Sequence, residues 1–284
     1  MCRWMAYCGN PLMLEDLLFN AKHCLIDQSM CSKSAETPTN GDGFGVGWYG
    51  RNGRPGLFRS IRPAWNDFNL RELAAQIETP LFFAHVRATS LATVQETNCH
   101  PFRYGRWLFV HNGEIFEIEK IRRKLLFAIA PELFTNVLGT TDSEILFYLS
   151  LTFGLESDPL LALRRMAGFV EQVAKREGIE ESLWMTVGVS DGKTVYAVRY
   201  ASDGNAPTLY YNRELEDLYR LHPDAEQRLR HKLGTETKLV VSEPMGVHAD
   251  AWISVPQNSS LVIEAGRITI HPFIPEWSHR RASA

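Results

Sequence analysis

The sequence contains no run of about 18 apolar residues, and its first residues lack the long apolar segment of a secretory signal peptide. It also lacks a block of like charges, since 30 Lys and Arg are balanced by 33 Asp and Glu for a net charge of -3. A membrane span and a charged footprint for nucleic acid are therefore not expected. We expect a cytoplasmic protein that binds neither a membrane nor nucleic acid.

Cysteine is scarce, and its spacing is not that of a structural framework. The five cysteines form no CxxC pair; they are Cys2, Cys8, Cys24, Cys31 and Cys99. An odd number without ligand spacing favours neither a set of disulfides nor a zinc site. We expect at least one free thiol and no metal.

The apolar patterns predict an α+β fold. Alternating β-branched and aromatic residues predict strands at 82–87, 107–111, 184–190, 194–200, 238–242, 260–264 and 267–271. Caps and helical spacing predict five helices: 12–20 after Asn10-Pro11, 70–78 after Asn69, 117–129, one to 153 after Thr140 or Thr141, and one to 178 after Asp158-Pro159. Short turns at Asp191-Gly192 and Ala265-Gly266 predict antiparallel hairpins. We expect one domain over 1–284 in which the polar segment 201–234 is a surface excursion.

Cys2 directly follows the initiator Met1, and methionine aminopeptidase tolerates a small residue at this position. Removal of Met1 would leave a thiol and a free α-amine on one residue. The α-amine titrates at about 7.7 to 8.0, so it can accept the thiol proton and return it to a leaving amine. Alternatively, a cysteine at the second position has no functional meaning.

Two apolar strands carry polar residues suited to acyl transfer. The strand that begins at Trp107 is expected to end at Asn112-Gly113, where an amide side chain and an uncrowded backbone N–H can hold an oxyanion. The strand before Ala88 ends in Arg87, whose guanidinium can clamp a carboxylate, and His85 on the same face is read as a supporting residue. A tight turn at Asn-Gly and a structural partner for Arg87 are the alternatives.

Two further segments can contribute to the same site. Thr141-Asp142 opens a predicted helix, where Asp142 is either an ordinary cap or a carboxylate that receives a substrate ammonium group. The segment 40–49 has glycine at every second position from Gly41 to Gly47, so an extended backbone there has one bare face and is expected to pack against the site. No Lys-Ser/Thr follows it, which argues against a phosphate-binding loop.

Taken together, five motifs resemble those of the class II, N-terminal-cysteine glutamine amidotransferases. They are Met1-Cys2-Arg3, 40–45, His85-Val86-Arg87, His111-Asn112-Gly113 and 141–144. The likeness is strong to about residue 153 and looser to about 273. It implies a four-layer sandwich, with two antiparallel sheets between two layers of helices.

The resemblance also implies residue roles. Cys2 is the nucleophile, Asn112 and the Gly113 amide form the oxyanion hole, Arg87 binds the glutamyl α-carboxylate and Asp142 the α-ammonium. His111 is included among the substrate-binding residues. Relatives often carry Thr three positions after the arginine, where this chain has Ser90, preceded by Thr89; either hydroxyl can serve. No cofactor is implied.

Within the family, the segments 26–29, 63–70, 96–102 and 242–244 are most similar to a stand-alone branch. That branch includes the glutaminase-like subunit of glutathione degradation and the γ-glutamyl hydrolase of ergothioneine synthesis. Only about a dozen residues follow His271, so we expect no synthase domain, and water or a separate partner is the acceptor. The resemblance therefore implies hydrolysis of a γ-glutamyl amide by a chain that acts alone, as a homodimer or with a partner subunit.

Two other functions stay open at this point. An N-terminal-cysteine amidase of another class would have no use for Arg87 and Asp142. A non-catalytic glutamyl-binding subunit would keep the pocket but form no thioester at Cys2.

Overall fold

The computed structural model describes residues 2–32, 39–50, 53–89, 93–214, 232–246 and 249–276. The strands in these ranges are β1 (Arg3–Met13), β2 (Phe44–Tyr49), β3 (Pro55–Ser60), β4 (Glu78–Val86), β5 (Phe102–Tyr104), β6 (Trp107–Ile115), β7 (Leu183–Ser190), β8 (Val195–Ala201), β9 (Tyr210–Asn212), β10 (Lys238–Val241), β11 (Trp252–Ser254), β12 (Ser259–Glu264) and β13 (Arg267–Pro272). The helices are α1 (Leu14–Leu18), α2 (Leu25–Met30), α3 (Phe68–Ala74), α4 (Ile118–Phe127), α5 (Pro131–Phe134), α6 (Asp142–Thr152) and α7 (Pro159–Arg176).

The strands form two antiparallel sheets. One has the order β11-β9-β10-β1-β4-β2-β3, and the other has the order β13-β12-β8-β7-β6-β5. The second sheet is built largely from strands that are neighbours in sequence, whereas β1 in the first sheet lies between β4 and β10. The predicted hairpins β7–β8 and β12–β13 are both present.

Three apolar clusters separate four layers. Residues of α1, α2 and α3 pack on the outer face of the seven-stranded sheet, and residues of α4, α5, α6 and α7 pack on the outer face of the six-stranded sheet. The third cluster, which includes Trp4, Phe83, Leu108 and Val110, fills the space between the sheets. The predicted α+β four-layer arrangement, helices outside two antiparallel sheets, is confirmed.

The predicted helix at 12–20 is wrong at its start. Leu12 and Met13 still pair with β4, opposite Thr79 and Glu78, after an irregularity in the register of β1. Leu12 is fully buried there, so pairing and burial outweigh the helix-starting signal of Asn10-Pro11. The helix begins only at Leu14.

The predicted helix at 70–78 is displaced towards the N-terminus. Asp67 rather than Asn69 provides the cap, because its carboxylate accepts a hydrogen bond of 2.8 Å from the Leu70 amide. The helix ends at Ala74, and Glu78 already belongs to β4.

The predicted surface excursion at 201–234 falls partly in described residues. Tyr210–Asn212 forms β9 between β10 and β11, so this part of the segment belongs to the seven-stranded sheet. Residues 215–231 lie outside the described ranges. In the described ranges no helix combines the length and apolar character needed to cross a membrane.

Candidate active site

Cys2 lies immediately before the first pairs of the central strand β1. Arg3 pairs with Val86 of β4, so Cys2 lies next to the residues that follow this strand. Its thiol donates to the Ala88 carbonyl oxygen at 3.3 Å, and its sulfur accepts from the Ala88 amide at 3.4 Å. The side chain is half-buried.

Two of the charges that act on this thiol belong to residues that the sequence placed in the same site. Burial raises the pKa of the Cys2 thiol, the positive charge of Arg87 lowers it, and the negative charge of Asp142 raises it. Both charges are thus close enough to influence the sulfur. Because the net direction is upward, forming a thiolate here requires a base to take the proton.

Arg87 is held by the glycine-rich segment before β2. The Arg87 amide donates to the Gly43 carbonyl at 2.8 Å, and its guanidinium donates to the Asp42 carbonyl at 3.4 Å. The Asp42 carboxylate in turn accepts from the Thr89 amide at 2.8 Å. The glycine-rich segment therefore packs against the site as predicted and fixes the backbone on both sides of Ala88.

Asn112 and Gly113 lie within β6 rather than at its end. The strand continues to Ile115, and Asn112 and Gly113 pair with Thr186 and Met185 of β7. The expected strand end at Asn112-Gly113 is therefore wrong, and the alternative of a tight turn is wrong as well. Gly113 has a φ of +154°, and a Cβ there would overlap the carbonyl oxygen of Trp184. The position requires glycine because of this close approach of β7.

A bridge between the sheets holds β1 next to Asn112. The indole N–H of Trp4 donates to the Thr186 hydroxyl at 3.1 Å, and this hydroxyl donates to the Asn112 carbonyl at 3.3 Å. All three residues are buried. The strand that carries Cys2 and the strand that carries Asn112 are therefore fixed relative to each other by directional contacts.

Asp142 is the first residue of α6, and Thr141 is the cap. The Thr141 hydroxyl accepts from the Glu144 amide at 3.3 Å. The Asp142 carboxylate accepts from the Ile115 amide at 2.9 Å and from the Ser143 amide at 2.7 Å. Asp142 is thus held against the end of β6, next to the Asn112-Gly113 pair, and is not the helix cap.

His111 lies below this surface. Its Nδ1 is 2.8 Å from the Ser143 hydroxyl, and its Nε2 donates to the Trp184 carbonyl at 3.4 Å. Burial lowers the pKa of His111, so the ring is neutral near pH 7. Its predicted part in substrate binding stays a prediction, as do the roles of Cys2, Arg87, Asn112, Gly113 and Asp142. Ser90 lies outside the described residues.

Several contacts of the site could not be identified from the sequence. Asp42 was read only as part of a glycine-rich segment and Thr186 only as a strand residue, and Trp4 was assigned to no element and no role. The only sequence signal for Trp4 is its place two residues after Cys2, on the same face of an extended chain. The partner of Trp4 lies 182 positions away, a separation that no local pattern reveals.

Comparison with known proteins gives a family for the whole chain. The family model for class II glutamine amidotransferases matches residues 13–281. The probable glutamine amidotransferase DUG3 of Saccharomyces cerevisiae is 34% identical over 306 residues, which cover 98% of this chain and 85% of the yeast protein. The γ-glutamyl-hercynylcysteine sulfoxide hydrolase of Mycolicibacterium smegmatis is 30% identical over 115 residues, which cover 40% of this chain and 51% of that protein.

Solved structures agree with this family. A glutamine aminotransferase class-II domain protein from Silicibacter pomeroyi has a TM-score of 0.72 and 34% identity, covering 97% of this chain and all of that one. Glutamine phosphoribosylpyrophosphate amidotransferase from B. subtilis has a TM-score of 0.62 at 12% identity, covering 96% of this chain and 49% of that chain, a likeness of fold alone. With a family model over almost all of its length, this chain belongs to the class II glutamine amidotransferases.

Proposed function

We propose that the protein hydrolyses the γ-glutamyl amide bond of glutamine or of a glutathione-like γ-glutamyl compound through a thioester at Cys2. The observation that carries the proposal is the position of the Cys2 thiol, which contacts the Ala88 backbone within the electrostatic influence of Arg87 and Asp142. A cation and an anion beside one sulfur match the α-carboxylate and α-ammonium of a glutamyl group.

The reaction begins after Met1 has been removed. The α-amine of Cys2 accepts the thiol proton, and the sulfur bonds to the γ-carbonyl carbon of the substrate. Asn112 and the Gly113 amide hold the oxyanion that forms. The C–N bond then breaks, and the α-ammonium gives its proton to the departing amine. The remaining glutamyl group is a thioester on Cys2.

Water completes the cycle. The α-amine takes a proton from the attacking water, the oxygen bonds to the thioester carbon, and the C–S bond breaks. The proton returns to the sulfur, and glutamate leaves. The raised pKa of the Cys2 thiol supports the need for a base at this place.

The two curated relatives support the class of substrate. One is named as a probable glutamine amidotransferase and the other as a hydrolase of a γ-glutamyl sulfoxide compound. The shared chemical unit is a glutamyl group linked through its γ-carbonyl, and the leaving group differs. We therefore propose that the glutamyl half is recognised by Arg87 and Asp142. A cytoplasmic location, a homodimer and a partner subunit stay predictions.

The test compares Cys2→Ala with Cys31→Ala in the purified full chain. Cys31 is exposed, so its substitution removes a thiol without touching the site. We expect wild type and Cys31→Ala to release glutamate from glutamine or glutathione, and Cys2→Ala to release none. Mass spectrometry of the wild type should show a chain that begins at Cys2 and gains a glutamyl group during turnover.

Three outcomes would contradict the proposal. They are full activity in Cys2→Ala, an intact Met1 in the active protein, and cleavage of an N-acyl amide with no cleavage of γ-glutamyl amides. A glutamyl ligand that binds without forming a thioester would instead indicate a binding subunit.

A further inference from the structure

We propose that the buried ion pair between Arg3 and Glu243 is a positioning device that fixes the backbone of Cys2 for catalysis. The inference rests on the proposed function, because it assigns a role in the reaction at Cys2. Neither residue belongs to the set of predicted site residues. Arg3 was noted only within the Met-Cys-Arg motif, and Glu243 only within Ser242-Glu243-Pro244.

The guanidinium of Arg3 connects the Cys2 backbone to Glu243. Its Nε donates to Glu243 Oε2 at 3.0 Å, and both side chains are 3% exposed. Its Nη1 donates to the carbonyl oxygen of Cys2 at 2.9 Å. One planar group thus holds the peptide that follows the proposed nucleophile, and lysine cannot reproduce this pair of contacts.

Glu243 is itself fixed from several sides. Its Oε2 accepts from the Ser32 hydroxyl at 2.7 Å, and its Oε1 accepts from His23 Nε2 at 2.7 Å. Arg3 Nη2 donates to the same Ser32 hydroxyl at 2.7 Å. The side-chain amide of Gln28 donates to the Glu243 carbonyl at 3.3 Å. Residues before, within and after α2, together with Glu243 just after β10, therefore converge on the start of β1.

The network lies at the end of β1 where β4 still pairs with the strand but β10 no longer does. The backbone pairing of β1 with β10 begins at Met5 and Val241. Nearer to Cys2, the backbone amide of Trp4 donates to the Ser242 hydroxyl at 3.0 Å, and the backbone amide of Ser242 donates to the Trp4 carbonyl at 2.9 Å. The Arg3–Glu243 pair continues this attachment by one more residue, up to the Cys2 carbonyl.

Stabilisation of the fold does not by itself explain why a buried ion pair is present here. The cost of removing two charges from water offsets most of their attraction, so apolar residues of similar size often stabilise a fold as well. Charged groups with several directional bonds do fix a position, and a displacement of about 1 Å at a reacting group can cost about 100-fold in rate. Because Cys2 is proposed to supply both nucleophile and base, the orientation of its backbone sets the distance between them.

The experiment uses Arg3→Lys and Glu243→Gln in the full chain, with Asp16→Asn as control. Asp16 is also a buried carboxylate, 3.4 Å from Lys232, but it lies on α1 away from Cys2. All chains carry Cys31→Ala, which removes the exposed thiol, and peptide mapping by mass spectrometry separates iodoacetamide alkylation of Cys2 from that of Cys8, which is also half-buried. Mass spectrometry also verifies removal of Met1. The readouts are kcat, KM, the thermal midpoint and the rate of Cys2 alkylation from pH 6 to 9.

We expect Arg3→Lys and Glu243→Gln to lower kcat by about 10- to 100-fold with KM changed by less than about 2-fold. Their Cys2 alkylation should be slower, with its pH profile displaced to higher pH. Asp16→Asn should leave kcat and alkylation unchanged. Glu243→Asp should regain part of the activity if Glu243→Gln does not fold.

The proposal is overturned if folded Arg3→Lys or Glu243→Gln retains wild-type kcat and alkylation. It is also overturned if Asp16→Asn lowers kcat and Cys2 alkylation as much as Arg3→Lys and Glu243→Gln do. The same holds if Arg3→Lys and Glu243→Gln change only KM. If the wild type cleaves no γ-glutamyl amide, the proposed function fails, while the alkylation profiles still test the positioning of Cys2.

Discussion

At Gly113 the backbone takes a φ of +154°, and the position of a Cβ is occupied by the Trp184 carbonyl oxygen. We predict that Gly113→Ala lowers the free energy of unfolding by about 4 kcal/mol, since backbone strain and overlap add. Gly178→Ala is the matched control. Gly178 has a φ of +81°, but a Cβ there meets no described atom within 4 Å, so strain alone should cost about 1 kcal/mol.

Urea unfolding of both variants measures these values. Equal losses in Gly113→Ala and Gly178→Ala would show that β7 can move away from Gly113. The rigid placement of the proposed oxyanion hole would then be wrong.

The residues proposed for catalysis were identifiable from the sequence because each belongs to a short motif. Cys2 follows Met1, Arg87 and Asn112 stand at the ends of predicted strands, and Asp142 opens a predicted helix. Their supporting residues were not identifiable. Glu243 reaches Arg3 across 240 positions, and the contact depends on the order of strands, which local patterns do not encode.

Among the elements, α6 has a first turn that serves two purposes. Its cap stabilises the helix, and the same turn positions Asp142 in the proposed site. Thr141 caps the helix, and Asp142 follows with both carboxylate oxygens accepting backbone N–H groups. We predict that Thr141→Ala lowers the free energy of unfolding by about 1 kcal/mol and raises KM for γ-glutamyl substrates severalfold, because Asp142 loses its fixed turn. Asp158→Ala removes the cap of α7 and is the control.

Asp158→Ala should lose about the same stability, also about 1 kcal/mol, with KM unchanged. Steady-state kinetics and urea unfolding of the two variants separate the effects. An unchanged KM in Thr141→Ala would argue against Asp142 as the ammonium site.

Element types were predictable where apolar spacing is regular. The helices α4, α6 and α7 and the hairpins of β7 with β8 and of β12 with β13 appear as expected. The errors at residues 12–20 and 70–78 arise where β1 continues its pairing and where two capping residues, Asp67 and Asn69, compete. In both places contacts with distant segments, or a better local cap, decide the boundary.

At the scale of the whole molecule, three neutral histidines lie in the interior of the part of the chain that the structure describes. Burial, aided by the charge of Arg87, lowers the pKa of His85 to about 3, and burial also lowers the pKa of His100 and His111. The rings of His85 and His100 stack with centroids 4.1 Å apart. In the described residues neither ring nitrogen of His100 has a hydrogen-bond partner.

These pKa values predict acid sensitivity. In the unfolded chain each histidine binds a proton near pH 6.5, whereas in the folded protein the lowered pKa of each ring shifts protonation to lower pH. The stability is therefore complete above about pH 6.5 and falls below it by up to about 1.4 kcal/mol per pH unit for each ring. For His85 the loss continues to about pH 3.

Urea unfolding at pH 7.5 and 5.5 tests this expectation with His100→Phe. That variant should show a shallower pH dependence than the wild type, because one titrating ring is gone. Phe102→Leu is the control, since Phe102 packs edge-on against His100 at 4.6 Å and does not titrate. It should lower stability equally at both pH values. An unaltered slope in His100→Phe would contradict the prediction.

The sheet order could not be predicted, for a reason visible at β1. Its neighbours are β4 and β10, and Cys8 pairs with Lys238, 230 positions later. Alternation in the sequence specifies which face of a strand is buried but not which distant strand lies beside it. The four-layer class was expected from the family resemblance, but apart from the two hairpins β7–β8 and β12–β13 the individual pairings were not.

The central place of β1 has a consequence during synthesis on the ribosome. One neighbour, β4, emerges within the first 86 residues, but the other, β10, is made only at residues 238–241. Between the synthesis of β4 and that of β10, one edge of β1 has no strand beside it. Its unpaired backbone N–H and C=O groups can form hydrogen bonds with any other extended polypeptide. We therefore expect incomplete chains to aggregate readily and to depend on chaperones until β10 has been translated.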